Sequence, residues 1–228
     1  KVFTLYAALK TLPPSLPALK YQVHKDTLHV LGTGDPSALH PVLGDRTAVD
    51  FIKGYRHIVL HTATLSDPPW GPGWAWEDYD RYYMAERAAL PIYGNVLRVV
   101  RGPDSLSVTP DIYRDSLVFE TQDYRRDPEG NLFYYKTTLP DTLEIPLKLS
   151  PARILALWEE ASGRTLIPGK ALPEGPWQIL PGIASDSLYR EMMAVSDNFL
   201  AEQLMLMVSA TLGDSLSFNR GRDHILKT

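Results

Sequence analysis

Three adjacent polar residues, Ser196, Asp197 and Asn198, have side chains that could move a proton and hold an amide substrate. They lie between two runs of helical periodicity, within SLYREMMAVSDNFLAEQLMLM. One interpretation is structural, because Ser, Asp and Asn all accept hydrogen bonds from the free N–H groups at a helix start. The other is chemical, because a serine hydroxyl can relay a proton and an asparagine amide can bind a peptide backbone. The triplet alone fits a helix cap as well as a catalytic motif.

Lys1 is the candidate base for such chemistry. Acyl transfer by a serine needs a base beside the nucleophile and an oxyanion hole. An amine acts as a base only when neutral, and burial and the positive end of a helix both favour that form. Lys1 lies in the first turn of an apolar helix with one predicted buried face, formed by Val2, Leu5, Tyr6, Leu9 and Leu12 before Pro13-Pro14. From spacing alone, a lysine without a role is the better explanation.

The elements that would position these residues are a mixture of helices and strands. Short strand candidates alternate with turns between Ala88 and Leu149, which predicts a mostly antiparallel β module. Ser150-Pro151 predicts a helix start, with Ser150 as the N-cap, and Gly163 its end. Further predicted elements are an extended segment at 21–31 with a turn at Lys25-Asp26, short helices at 48–53 and 186–195, and a helix through Phe199, Leu204 and Met207.

The composition narrows the classes of function. The 228 residues are 44% hydrophobic and 22% charged, as in a globular soluble protein, and the net charge of −4 provides no field for a phosphate backbone. We therefore expect no nucleic-acid partner. The absence of cysteine excludes disulfides, thiol catalysis and cysteine zinc sites. No export signal and no apolar run long enough to span a bilayer occur, so we expect no transmembrane segment in this chain.

Several segments together resemble one family in the same order. They are KVFTLYAAL from Lys1, GTGDPSAL from Gly32, GPGWAWEDYDRYYMAERAALPIYGN from Gly71, and SDSLYREMMAVSDNFLAEQL from Ser185. With these segments the chain resembles the class C low-molecular-mass penicillin-binding proteins, the D-alanyl-D-alanine carboxypeptidase/endopeptidase family, and is most similar to forms from Bacteroidetes-like bacteria. Ser-Asp-Asn is one of three motifs of such enzymes, besides Ser-x-x-Lys and Lys-Thr-Gly.

The resemblance implies a fold, a domain organisation and a site. The implied fold class is α+β and multidomain, with a partial β-lactamase/transpeptidase-like domain (1–20 and 182–228) around an inserted β-rich domain (21–181). Lys1 and Ser196 are 195 positions apart, enough for an inserted domain of ~100 to 150 residues. That separation argues against class A β-lactamases, whose Ser-Asp-Asn lies much closer to the nucleophile.

The implied catalytic residues are Lys1, Ser196 and Asn198, and Asn198 also binds substrate. The implied activity is serine-type hydrolysis of D-Ala-D-Ala peptides of peptidoglycan through an acyl-enzyme, with β-lactams as inhibitors of the intact enzyme and no cofactor. The implied location is the periplasm or another extracytoplasmic part of the envelope. We expect Asp197 to point away and hold the loop.

The chain departs from the family pattern in two ways. The nucleophile is expected three residues before Lys1, so the chain is expected to be an inactive fragment. Lys227-Thr228 is not the third motif, because it follows Asn198 by only 29 positions, at the end of a predicted helix. The rival hypothesis is a non-catalytic envelope-binding or structural module with the same fold.

Other possible motifs are weak. Gly32-Thr33-Gly34 lacks the third glycine of a dinucleotide loop and is interpreted as a turn. His57 and His61 have the spacing of a helical zinc pair, but they lie in a strand-like segment. The acidic residues Glu77, Asp78 and Asp80 lack the pattern of a calcium loop. We predict no metal site.

Overall fold

The computed structural model describes residues 1–62, 65–120, 122–136, 138 and 140–227. Thr228, half of the rejected Lys-Thr pair, lies outside them. The α-helices of the described residues are α1 (Val2–Thr11), α2 (Thr47–Lys53), α3 (Pro151–Ser162), α4 (Ser185–Ala194), α5 (Asn198–Ala210) and α6 (Phe218–Ile225). None of them combines the length and the hydropathy needed to cross a bilayer.

The strands of the described residues form two sheets and one short pair. They are β1 (Ser15–His24), β2 (Thr27–Leu31), β3 (His57–His61), β4 (Val96–Arg101), β5 (Leu106–Thr109), β6 (Leu117–Val118), β7 (Phe133–Tyr134), β8 (Thr142–Pro146), β9 (Ile167–Pro168) and β10 (Gln178–Ala184). The larger sheet has the order β10-β1-β2-β3-β9, with antiparallel pairing at β10-β1-β2 and parallel pairing at β2-β3-β9. The smaller sheet, β5-β4-β8, is antiparallel, as predicted for the β module, while β6 and β7 pair in parallel.

Local signals in the sequence account for several element ends. The Ser150 hydroxyl accepts a hydrogen bond from the Arg153 N–H at 3.2 Å, and Gly163 ends α3 in the left-handed region at φ 62°. The predicted turn at Lys25-Asp26 joins β1 to β2, with Lys25 at φ 57°. These predictions are confirmed. They could be made from the sequence because each depends on residues within one turn of the chain.

The first hydrophobic core lies between the larger sheet, the smaller sheet, α2 and α3. Leu28 and Val30 from the larger sheet, Leu97 and Ile145 from the smaller one and Trp158 from α3 are all buried in it. The Trp158 indole N–H donates to the Leu90 carbonyl at 3.1 Å, which satisfies its polar group inside the core.

The second core joins α1, α4 and α5 and positions the candidate site. Ala7 and Ala8 of α1 are buried against apolar residues of α4 and α5. The predicted buried face of α1 is wrong for Val2, Tyr6 and Leu9, which are 68%, 54% and 61% exposed. Small alanine side chains let α1 approach α5 closely, so the contact runs along Ala7 and Ala8 and not along the larger residues.

The predicted domain boundaries, 20/21 and 181/182, both fall within strands. Those strands, β1 and β10, pair with each other, and Lys20 lies opposite Ile179. The pairing was not foreseen, because β10 is mostly exposed and carries no alternation of apolar and polar residues. The division of the chain into three segments stays a prediction.

Candidate active site

The starts of α1 and α5 meet in the structure. The Lys1 ammonium group donates a hydrogen bond of 2.5 Å from Nζ to Oδ1 of Asn198. Lys1 is the N-cap residue of α1 and Asn198 is the first residue of α5, so the packing of the two helices brings these side chains together. Two of the three predicted site residues are therefore in direct contact.

The turn between α4 and α5 gives each residue of the triplet a different task. Asp197 is the N-cap of α5, since its Oδ1 accepts a hydrogen bond from the Leu200 N–H at 2.8 Å. Its own N–H donates to the Met192 carbonyl at 3.0 Å. The helix cap that any of the three residues could have formed is thus formed by Asp197 and not by Ser196 or Asn198.

Ser196 has a strained backbone. Its φ of 56° places it in the left-handed region, where residues with a Cβ are uncommon. This conformation occurs between the last turn of α4 and the cap at Asp197, where the chain reverses direction. The residue is exposed at the surface of the cleft described next, and an outlier of this kind at a cleft is compatible with a functional role.

A cleft of about 460 Å³ surrounds the Lys1–Asn198 contact. Its lining residues are Lys1, Tyr82, Tyr83, Val195, Ser196, Asp197 and Asn198. All three predicted site residues therefore lie in one cavity. The two tyrosines come from a short 3-10 helix, Tyr82–Met84, and their rings meet edge to face at 5.3 Å. Desolvation and the carboxylate of Asp78 raise the pKa of Tyr83.

Sequence reasoning missed Tyr82 and Tyr83 as site residues. The signal for them was their position in the segment from Gly71 that resembles the same family as the Ser196 segment, but that resemblance does not say which of its residues reach the site. Of the acidic residues considered for a calcium loop, Asp78 acts on the pKa of Tyr83, and Asp80 accepts a hydrogen bond from the Arg125 N–H.

A chain of charged residues begins one helical turn beyond Asn198. Glu202 Oε2 lies 3.3 Å from Arg87 Nη1, and Arg87 Nη1 lies 3.7 Å from Asp67 Oδ2. Burial raises the pKa of the Glu202 carboxyl, and the attraction of Arg87 opposes that shift. Lys1 also attracts Glu202, more weakly than Arg87 does.

Gln203 fixes α5 against the loops beneath the site. Its amide is fully buried, donates to the carbonyls of Gly34 and Ala88 at 2.7 and 2.9 Å, and accepts from the Ala88 N–H at 3.1 Å. The segment 32–35 is buried, and a Cβ on Gly32 would come within 2.1 Å of the Ala89 carbonyl oxygen. Glycine is therefore required at position 32 for close packing.

His40 supports the triplet turn from below. Its ring is stacked parallel to Phe199, with centroids 6.4 Å apart, and its Nδ1 accepts from the backbone N–H groups of Val42 and Leu43 at 3.3 and 3.4 Å. Burial lowers the pKa of His40 to about 4, although the nearby carboxylate of Asp197 acts in the opposite direction. A neutral imidazole is the form that can accept these bonds.

The two histidines considered for zinc do not form a pair with each other. His61 Nε2 lies 3.2 Å from His29 Nδ1 on the neighbouring strand, and His57 Nε2 lies 3.6 Å from Asp26 Oδ2. Over residues 1–62, 65–120, 122–136, 138 and 140–227, no three histidine or acidic side chains are grouped to hold a metal ion.

Comparisons with known proteins identify the fold. No protein-family model matches the chain, and no curated protein is similar to it in sequence. A solved structure of penicillin binding protein 4 (dacB) from Haemophilus influenzae is 20% identical, with a TM-score of 0.58 over 99% of this chain and 60% of that one. A second structure of that protein, complexed with a novel β-lactam, is 16% identical, with a TM-score of 0.51 over 99% and 59%.

The chain thus has the α+β fold of a penicillin-binding protein, as the sequence predicted, and it spans about 60% of the length of these solved structures.

Proposed function

We propose that this chain provides part of the active site of a serine-type D-Ala-D-Ala carboxypeptidase/endopeptidase. The substrates are stem peptides of peptidoglycan, and β-lactams inhibit the intact enzyme. The observation that carries the proposal is the hydrogen bond between Lys1 and Asn198, in a cleft that also contains Ser196. The fold shared with a penicillin-binding protein supports it.

In the proposed reaction, Lys1 is the base that activates a serine nucleophile. That serine lies three residues before Lys1 in the intact enzyme, one helical turn away, so the two side chains share a face. The serine oxygen attacks the carbonyl carbon of the D-Ala-D-Ala bond as its proton moves to the Lys1 amine. The Ser196 hydroxyl then relays this proton from the Lys1 ammonium group to the leaving amine as the C–N bond breaks. Water attacks the resulting ester and releases the serine and a shortened peptide.

Asn198 has two tasks in this scheme. Its side-chain oxygen accepts the hydrogen bond from Lys1 and so holds the base in place. Its amide N–H groups donate to a carbonyl of the substrate backbone. Tyr82 and Tyr83 line the cleft together with the triplet and limit the substrate groups that fit there.

The proposal includes an organisation and a location. Segments 1–20 and 182–228 belong to a transpeptidase-like domain, and segment 21–181 is an inserted β-rich domain. The enzyme acts in the periplasm or another extracytoplasmic part of the envelope, where its substrate is found. The scheme needs no metal ion or cofactor, because the lysine and the two hydroxyl groups carry every proton transfer.

Labelling with fluorescent penicillin tests the proposal. We expect the 228-residue chain alone to remain unlabelled, and a longer polypeptide that contains it together with the proposed nucleophile to be labelled covalently. Asn198→Ala in the longer polypeptide should reduce labelling at least ~10²-fold. Labelling of the 228 residues alone would contradict the external nucleophile. If the longer polypeptide folds but is not labelled, that result would contradict the proposed enzymatic function and favour the non-catalytic envelope module.

A further inference from the structure

Glu202 is an acidic residue one helical turn beyond the Lys1–Asn198 contact. It lies four residues after Asn198 on α5, so the two side chains project from neighbouring positions on one face of the helix. Lys1 attracts its carboxylate, but among the described residues the ion pair of Glu202 is with Arg87, at 3.3 Å. The Lys1 amine donates instead to the neutral Asn198.

Arg87 is fixed independently of Glu202. Its side chain is 4% exposed, and its guanidinium lies 5.6 Å from the centre of the Phe218 ring and 3.7 Å from Asp67 Oδ2. Asp67 is itself held by the Ser217 hydroxyl, which donates to it at 2.8 Å. The backbone N–H of Arg87 donates to the Pro69 carbonyl at 2.9 Å. The guanidinium is thus an anchored positive charge that faces Glu202.

The Glu202 carboxylate has unused bonding capacity. Its Oε2 atom is buried and accepts no hydrogen bond, although it is paired in charge with Arg87. A buried carboxylate that loses its counter-ion is costly, so Glu202 would turn to the next available cation. Of the charged groups that act on Glu202, the other cation is Lys1.

We infer that Arg87 is a positioning residue that occupies Glu202 and thereby leaves the Lys1 amine bonded to Asn198. The inference rests on the proposed function, in which Lys1 must be able to lose its proton. A carboxylate paired directly with Lys1 would hold the amine in its charged form. Arg87 would therefore affect the protonation of Lys1 through its pairing with Glu202, without contact with the substrate or with Lys1.

The charged and titratable groups around Lys1 come from three parts of the structure. Glu202 of α5 is attracted by Lys1, and Asp197, Tyr82 and Tyr83 line the same cleft as Lys1. Arg87 and Asp67 lie behind Glu202. A test must therefore separate the effects of Glu202 and Arg87 on the Lys1 amine from the effects of these neighbours.

The experiment follows the side-chain amine of Lys1 by NMR as a function of pH in the 228-residue chain. Arg87→Met should move the midpoint of the Lys1 titration upward by about 1 pH unit, because Glu202 then pairs with Lys1. Glu202→Gln should move it downward. The double variant Arg87→Met/Glu202→Gln should return the midpoint to the wild-type value or below. In Arg87→Lys the midpoint should lie between the values of wild type and Arg87→Met.

Arg46→Met is the matched control. It removes an exposed arginine paired with Asp50 on α2 and should leave the Lys1 midpoint unchanged.

The outcomes separate this inference from the proposed function. An unchanged midpoint in folded Arg87→Met, or an upward shift that persists in the double variant, would overturn the positioning role. If Arg87→Met does not fold, Glu202→Gln alone decides, and an unchanged midpoint would overturn the inference. The pH profile of penicillin labelling of the longer polypeptide should shift in the same order. If that polypeptide does not react with penicillin at any pH, the proposed enzymatic function is overturned and the positioning role is not. The NMR result in the 228-residue chain does not depend on acylation.

Discussion

Lys1 Nζ and Asn198 Oδ1 are 2.5 Å apart, although the two residues are 197 positions apart in the chain. The contact exists because α1 and α5 share the second hydrophobic core, where Ala7 and Ala8 allow the helices to approach closely. A cation and an amide at this distance form a charge-assisted hydrogen bond. The geometry therefore joins the base and the substrate-binding amide of the proposed reaction in one unit.

The cap of α5 should be the aspartate of the triplet and not its serine. Asp197→Ala removes the acceptor of the Leu200 N–H and should destabilise the chain by about 1 kcal/mol, whereas Ser196→Ala should change little. Urea unfolding of both variants measures the difference. Ser150→Ala, which removes the cap of α3, is the positive control. Equal losses in the two triplet variants would show that the serine shares the capping role.

Ser196→Gly should separate the fold from the chemistry. Glycine adopts the φ of 56° without strain, so this variant should be more stable than Ser196→Ala by roughly 1 kcal/mol. It lacks the hydroxyl that relays the proton in the proposed reaction, so the longer polypeptide carrying it should react slowly with penicillin. Thermal unfolding and penicillin labelling test the two halves. A glycine variant less stable than the alanine variant would contradict the strained backbone.

Gln203→Leu should be strongly destabilising. The change leaves two buried carbonyls and one buried N–H group without their side-chain partner, at a cost of more than about 2 kcal/mol. Denaturant unfolding measures the loss. Gln178→Leu, the same change at an exposed position of β10, should stay within about 0.5 kcal/mol of wild type. A mild effect at position 203 would mean that water replaces the amide.

His40 should make stability rise with pH. Its pKa is lowered from 6.5 to about 4 in the folded protein, so the unfolded chain binds more protons between these values. The free energy of unfolding contributed by His40 therefore increases from about pH 4 to about pH 6.5. His40→Asn keeps a side-chain acceptor for the Val42 and Leu43 N–H groups and should flatten that part of the profile. An identical slope in the variant would contradict a neutral, buried His40.

Asp35 should make the stability of the fold decrease as the pH rises, the opposite of the effect of His40. Burial raises the pKa of its carboxyl from 3.8 to about 7, although Ser37 donates hydrogen bonds to both of its oxygens. The folded state then binds the extra proton, so the stability from Asp35 is present below about pH 4 and is lost as the pH rises to about 7. Asp35→Asn should therefore give a steeper rise of stability with pH than wild type. Chemical denaturation at several pH values measures it, and a rise no steeper than that of wild type would contradict a raised pKa of Asp35.

Signals that act within one turn of the chain could be read from the sequence. Ser150 and Gly163 mark the ends of α3 because a hydroxyl cap and a left-handed glycine act on the adjacent backbone. The place of the triplet between two helices was predicted for the same reason. The resemblance to penicillin-binding proteins supplied the fold, and the similarity to solved structures confirms it.

The wrong and missed predictions concern contacts between distant segments. Apolar spacing in α1 predicted a buried face, but it could not show that Ala7 and Ala8, and not Val2 and Tyr6, would meet α5. The strand β10 was missed because its pairing with β1 joins segments that lie about 160 positions apart and leaves no local pattern. Tyr82 and Tyr83 reach the cleft only through the path of the loop that carries them.

The sequence by itself determined where the candidate site residues lie relative to the helices: a lysine at a helix start, and Ser196-Asp197-Asn198 between two helices. Helix starts and ends could be predicted because they depend on local capping and periodicity. Only the tertiary structure decided that Asp197 is the cap, that Lys1 bonds to Asn198, and that Arg87 pairs with Glu202. The physical reason is that caps and turns are set by neighbouring residues. The partner of a buried charge is instead chosen by packing across the whole chain.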